Sequence, residues 1–165
     1  MMHSIDASVL PYRSHTRLGW SLVFVGLCLL ASLPIHRRDC TISASSHRSS
    51  HRPDRAIDAR PLTYWAPRGL GGKLELKLRK PGFVKRVGLL NARNRHQRGI
   101  GARSYVVELY SGAELVTEVT GEFDLRYDET PWIWREVDTS DVDKIVVRVA
   151  GASGHPAGLA EFRFE

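Results

Sequence analysis

Gly72-Lys73-Leu74-Glu75-Leu76-Lys77-Leu78 alternates apolar and charged residues without a break. Such a period of two puts Leu74, Leu76 and Leu78 on one face of a strand and the charges on the other. The same alternation returns in Val84–Leu90, Tyr105–Tyr110, Leu115–Val119, Trp132–Val137, Ile145–Val149 and Leu159–Phe164. Pro81-Gly82, Ser111-Gly112 and the stretch from Gly151 to Gly158 separate these runs with turn-forming residues. No window carries a helical stripe. Seven or eight short strands of this kind predict an all-β fold, an antiparallel β-sandwich or jelly roll with one face of each sheet buried.

Upstream, Leu18–Ile35 (LGWSLVFVGLCLLASLPI) contains no charged residue and would span roughly 27 Å as a helix, close to one hydrocarbon core. A buried core helix would show a polar stripe, whereas this segment is apolar on every side. Residues 18–35 are therefore expected to form a transmembrane signal anchor behind a tail of residues 1–17. Ala31-Ser32-Leu33 before Pro34 is a poor cleavage site, which favours retention of the segment. Arg13 and Arg17 precede the segment and Arg37 and Arg38 follow it, so flanking charge assigns no orientation. Residues 36–55, including SSHRSSHR from Ser45 to Arg52, lack apolar periodicity and read as a linker or surface loop. His47 and His51 stand at a spacing that ligates metals on a helix, but nothing in this Ser-rich stretch predicts one. The folded domain is expected over residues 41–165, with an approximate start.

The chain carries a formal charge of +6. Its distribution is uneven: 15 Lys/Arg face 3 Asp/Glu between Arg48 and Arg103, and 5 face 13 between Ser104 and Glu165. Opposite charges on neighbouring strands account for such a split, so nucleic acid is an unlikely partner. Cys28 and Cys40 both precede the strand-rich part, which leaves no pair for an internal disulfide there. Catalytic signatures are missing too: there is no serine elbow, no complete phosphate loop, no HExxH and no CxxC.

Ala56–Pro67 (AIDARPLTYWAP) resembles the opening signature of discoidin, or coagulation-factor type C, domains, which belong to the galactose-binding-like group together with many bacterial carbohydrate-binding modules. Asp58, Thr63 and Trp65 match that signature, whereas Ala59 and Arg60 stand where a Gly and an acidic or amide residue are usual. Gly72–Leu78, the turn at Lys80-Pro81, and Val84–Val87 leading to Asn91 follow in the group's order. Asn91–Gly112 is similar to an element of bacterial domains described as glycan-binding partners of NAD glycohydrolases, and Leu159-Ala160-Glu161-Phe162 is similar to the closing strand. The resemblance covers about residues 41–165.

This resemblance implies a non-catalytic, extracytoplasmic binding module with loops at one end of the sandwich as its binding surface. Carbohydrate or another anionic cell-envelope ligand is the expected partner, with a protein-protein interaction module at the membrane as the other reading. Asn91, Asn94, Arg95, His96, Arg98 and Arg103 would supply hydrogen bonds, either as a ligand site or as a solvated basic loop. Four arginines in this stretch favour a ligand carrying carboxylate or phosphate. Tyr127, Trp132 and Trp134 could offer an aromatic face, although core packing is the simpler expectation for the two tryptophans and for Trp65. The resemblance also implies a structural calcium held by Asp58, Thr63 and Glu161 with the carbonyls of Ala56 and Ala160. Arg60 opposes it, since its guanidinium could repel the ion or replace it by pairing with a carboxylate.

Overall fold

The computed structural model describes residues 39–92, 100–125, 131–151 and 157–165. The apolar segment 18–35 and most of the arginine-rich loop lie outside these residues. Six strands are formed: β1 (Cys40–Ala44), β2 (Gly71–Asn91), β3 (Ala102–Ser111), β4 (Glu114–Glu122), β5 (Ile133–Gly151) and β6 (Leu159–Phe164), with a short 3-10 helix over Pro53–Ile57.

Every pairing is antiparallel, and the strand order is β1-β2-β5-β3-β4 with β6 added to β2. The two-layered architecture comes from the two longest strands, which bend and serve both layers. The first half of β2, Gly71–Lys77, pairs with the second half of β5 and with β1, and its second half, Val87–Asn91, pairs with the first half of β5 and with β6. The sequence separates Leu74–Leu78 from Val84–Leu90 at Pro81-Gly82. In the structure one strand of 21 residues runs through that point, with register shifts between Lys77 and Arg86. Pro81 cannot donate to a ladder, so the pairing breaks register there and the strand turns a corner. In β5 the corresponding corner carries Asp138 at φ 43° and Asp141 at φ 56°. Runs that read as separate strands are thus the two arms of bent ones.

The bends fold the alternating faces onto each other. Leu74 and Leu76 from the first arm of β2, and Val84, Val87 and Leu89 from its second, enter one core cluster with Leu109, Ile145, Val147, Phe162 and Trp65. Each such side chain contributes roughly 1.5–3 kcal/mol when fully buried.

Cys40–Ala44, within or beside the expected linker, is a strand registered on Leu74–Leu78. The remainder of that stretch is a loop fastened to the sandwich: Ser45 N–H donates to Lys73 O, Arg48 N–H donates to Ala66 O, and Trp65 Nε1 donates to Ser46 O. The backbone groups of a Ser-rich run satisfied by neighbours need no apolar pattern, which is why periodicity does not reveal it.

The registers also define two ends. The start of β1, the corners of β2 and β5, the Ser111-Gly112 turn and Glu165 gather at one end, where Gly112 N–H donates to Asp143 Oδ2 and Glu165 N–H donates to Arg86 O. Ala44, Asn91, Glu122 and Gly151, where the strands lead out into loops, gather at the other, as the Trp65–Leu159 bridge and the bonds Ala92 N–H to Gly158 O and Phe123 N–H to Arg103 O show.

Candidate functional site

At the loop end, Pro53 opens the 3-10 helix, where its missing N–H costs nothing, and Asp58 closes it. The next residue, Ala59, has φ 62°, in the left-handed region that a Cβ disfavours. The turn it creates aims the Arg60 N–H back at Asp58 Oδ1, 2.9 Å away, and at Glu161 Oε1, 2.6 Å away on β6. Thr63 Oγ1 lies 2.9 and 2.8 Å from the two Asp58 carboxylate oxygens and 3.0 Å from Arg60 O. Asp58, Thr63 and Glu161, far apart in sequence, are thus brought together.

Glu161 is only 1% exposed. Burial, and then its hydrogen bond to the neighbouring Asp58 carboxyl, push its pKa up to about 7. Two carboxyls in contact share a proton or take up a cation. The two carboxyls and the Thr63 hydroxyl are oxygen ligands of the kind a hard cation such as calcium takes, while the Arg60 N–H also points at both carboxyls. Arg60 enters through its backbone, and among the described residues its guanidinium forms no ion pair with Asp58 or Glu161. The pairing by which its side chain would replace the ion is thus not formed.

Arg60 also lines an open cavity of about 280 Å³, together with Arg52, Asp54, Arg55, Asp58 and Thr63. Arg52 and Arg55 belong to the stretch that reads as linker, so neither stood out as a site residue; Pro53 between them was the available signal for an ordered turn. His51 stacks on Tyr64 at 4.1 Å between ring centroids, so it does not join His47 as a ligand pair. Its pKa is lowered by burial and then by the Arg55 charge.

Asn94, Arg95, His96 and Arg98, with Tyr127 and His155, lie outside the described residues. Their loop leaves and rejoins the sheet at Asn91 and Ala102. Asn91 is buried, and its side-chain amide is consumed there: Nδ2 donates to Ala102 O at 2.8 Å and Oδ1 accepts from Ala102 N–H at 2.9 Å. It clasps the neck of the loop and presents nothing to solvent. Arg103, beside the neck, is exposed.

Trp65 is fully buried, as expected. Trp132 and Trp134 are not in the core, which corrects that expectation. Ile133 and Val137 pack on the core cluster, so alternation places the two indoles on the outer face of β5. They stack on each other at 5.5 Å between centroids, with Arg86 over Trp134 and Arg163 over Trp132, each at 4.6 Å. Gly88 opposite leaves room for Trp134, whose ring atoms would lie within 2.8 Å of any Cβ there.

These features define an all-β sandwich of the discoidin-like class. The family 32 carbohydrate-binding module of Clostridium perfringens NanJ, solved with galactose, superposes with a TM-score of 0.60 at 20% identity, over 79% of this chain and 96% of the module. A second Clostridium perfringens module of that family, solved with GalNAc-β-1,3-galactose, gives 0.58 at 18% identity over 76% and 94%. The F5/8 type C domain of a Bacteroides fragilis protein gives 0.62 at 14% identity over 79% and 93%. No protein-family model and no curated protein matches the sequence. At these identities the likeness establishes the fold and leaves the ligand to the site's own chemistry.

Proposed function

We propose that this chain is a non-catalytic binding module that recognises an envelope carbohydrate through its loop end and is held at a membrane by residues 18–35. The observation that carries the reading is the fold, which it shares over nearly the whole length of modules solved with galactose and with GalNAc-β-1,3-galactose. At one end of the sandwich the strands lead out into loops at Asn91 and Gly151, and loops on a rigid scaffold are where binding residues concentrate. In this reading Arg103 and the loop residues Asn94, Arg95, His96 and Arg98 contact the ligand, and Asn91 holds their loop in register.

Calcium belongs to the same proposal. Asp58, Thr63 and Glu161 would hold it, and its charge would keep Glu161 ionised and lock the turn to β6. Glycan-array binding by the full chain in nonionic detergent tests the main reading; binding to no glycan class overturns it. A melting temperature unchanged between millimolar calcium and chelator removes the ion.

A further inference from the structure

We propose that the cavity bounded by the 3-10 helix and the Asp58–Thr63 turn is an oxyanion site that receives an acidic substituent (carboxylate, sulfate or phosphate) of the glycan. The inference rests on the glycan reading above and names a feature of the ligand that the fold leaves open.

Six residues line the cavity: Arg52, Asp54, Arg55, Asp58, Arg60 and Thr63. Its charges are sorted by what is already engaged. Arg52 Nη2 pairs with Asp54 Oδ2 at 3.0 Å, and Asp58 accepts from Thr63 and from the Arg60 N–H. The guanidinia of Arg55 and Arg60 bond no carboxylate among the described residues, and both residues line the cavity. A guanidinium presents paired N–H groups that match two oxygens of one acid group, and two of them select an oxyanion over a neutral hydroxyl.

Size agrees. At ~30 Å³ per water, 280 Å³ holds about nine waters, enough for a charged substituent with part of its sugar ring. The site's surroundings strengthen it. Arg48 and Arg68 flank the same loop, and the Arg55 and Arg48 charges add to burial, the main cause, in lowering the His51 pKa. An anion approaching this end meets positive potential before contact.

The site uses none of the residues of the loop beyond Asn91, and its tests are separate. Full-length chain in nonionic detergent is titrated calorimetrically with galactose, galacturonic acid, galactose 6-sulfate, galactose 6-phosphate and inorganic phosphate. The acidic sugars are expected to bind at least about tenfold more tightly than galactose at low ionic strength, with the advantage shrinking as salt is added. Arg55→Gln combined with Arg60→Gln should abolish that advantage and leave neutral-sugar affinity unchanged. Arg163→Gln, on the outer sheet face, should change neither. Amide shifts on adding the acidic ligand should cluster at residues 52–63. Equal affinity for acidic and neutral sugars, or an acidic advantage that survives the double replacement, overturns the oxyanion site. Binding of the acids and of phosphate with no response to any neutral glycan keeps the site and overturns the neutral-sugar reading of the loops.

Discussion

The backbone N–H of Arg60 donates to Glu161 Oε1 at 2.6 Å, joining residues 101 positions apart. The bond ties the turn after the 3-10 helix to the closing strand at the place where two carboxyls meet. Glu161 titrates at about 7 in the fold, against an ordinary 4.5, because it is buried and hydrogen-bonded to Asp58. A carboxyl whose folded pKa is raised stabilises the fold most when protonated, so its contribution is complete below about 4.5 and is lost as pH rises through about 7. His51, with its lowered pKa, acts the other way below 6.5. The comparison must therefore be with Glu161→Gln. The stability of the native chain relative to this variant is expected to fall between pH 5 and 7 by up to about 1.4 kcal/mol per pH unit, and to be flat above. Calcium should reverse the order at pH 7, since the ion needs the carboxylate. Urea denaturation curves that stay parallel across this range refute the assignment.

Ala59 supplies a second prediction. Its φ of 62° costs about 1–2 kcal/mol that glycine would not incur, set against roughly 0.4–1 kcal/mol for the greater freedom glycine brings to the unfolded chain. Ala59→Gly is expected to stabilise the fold by about 0.5–1 kcal/mol, and Ala59→Val to destabilise it by more than that. Chemical denaturation with unchanged m-values is the measurement, and a loss on introducing glycine contradicts the strained turn.

How far the sequence reaches is visible in these same residues. Asp58, Thr63 and Glu161 are legible because they fall in ordered motifs, and the strain at Ala59 lies where the related pattern has Gly. Strand alternation locates every strand but β1, whose Cys-Thr-Ile-Ser-Ala does alternate but is only five residues long and runs straight into a Ser-rich stretch. The bends of β2 and β5 are not legible as bends: Pro81-Gly82 marks a break in pairing, and whether the chain reverses or continues past it depends on which partner takes up the ladder. Trp132 and Trp134 alternate in phase, but period alone cannot say which face is inward; Gly88 and the arginines of β2 and β6 decide it.

Asn91 is expected to behave as a clasp and not as a ligand contact. Asn91→Ala would leave the N–H and C=O of Ala102, itself 0% exposed, without their partner. A loss of about 2–4 kcal/mol follows from two buried polar groups at ~1–3 each, incompletely additive. Hydrogen exchange at Ala102 should accelerate locally beyond what global destabilisation explains. Loss of ligand binding with full retention of Ala102 protection would make Asn91 a contact residue instead.

The Glu108–Arg148 pair on the outer face of β3 and β5 tests whether that face is structural. Arg148 Nε donates to Glu108 Oε1 at 2.8 Å and Nη2 to Oε2 at 3.2 Å, while Tyr110 Oη donates to Oε2 at 2.9 Å. The Arg148 hydrogen bonds, outweighing burial, hold the Glu108 pKa below its ordinary value. A depressed carboxylate stabilises above the unfolded value of 4.5 and loses that contribution as pH falls through its folded value. An exposed pair is worth ~0–1 kcal/mol; this one is forked and the Glu108 side chain is 11% exposed, but that of Arg148 is 51% exposed, so a coupling of about 1 kcal/mol is expected. A double-mutant cycle of Glu108→Gln with Arg148→Met should return that coupling at pH 7 and much less at pH 3. Coupling near zero at pH 7 would reduce the pair to screened surface charge. Coupling that persists at pH 3 would show that the Tyr110 hydrogen bond and packing, not the ion pair, hold these strands in register.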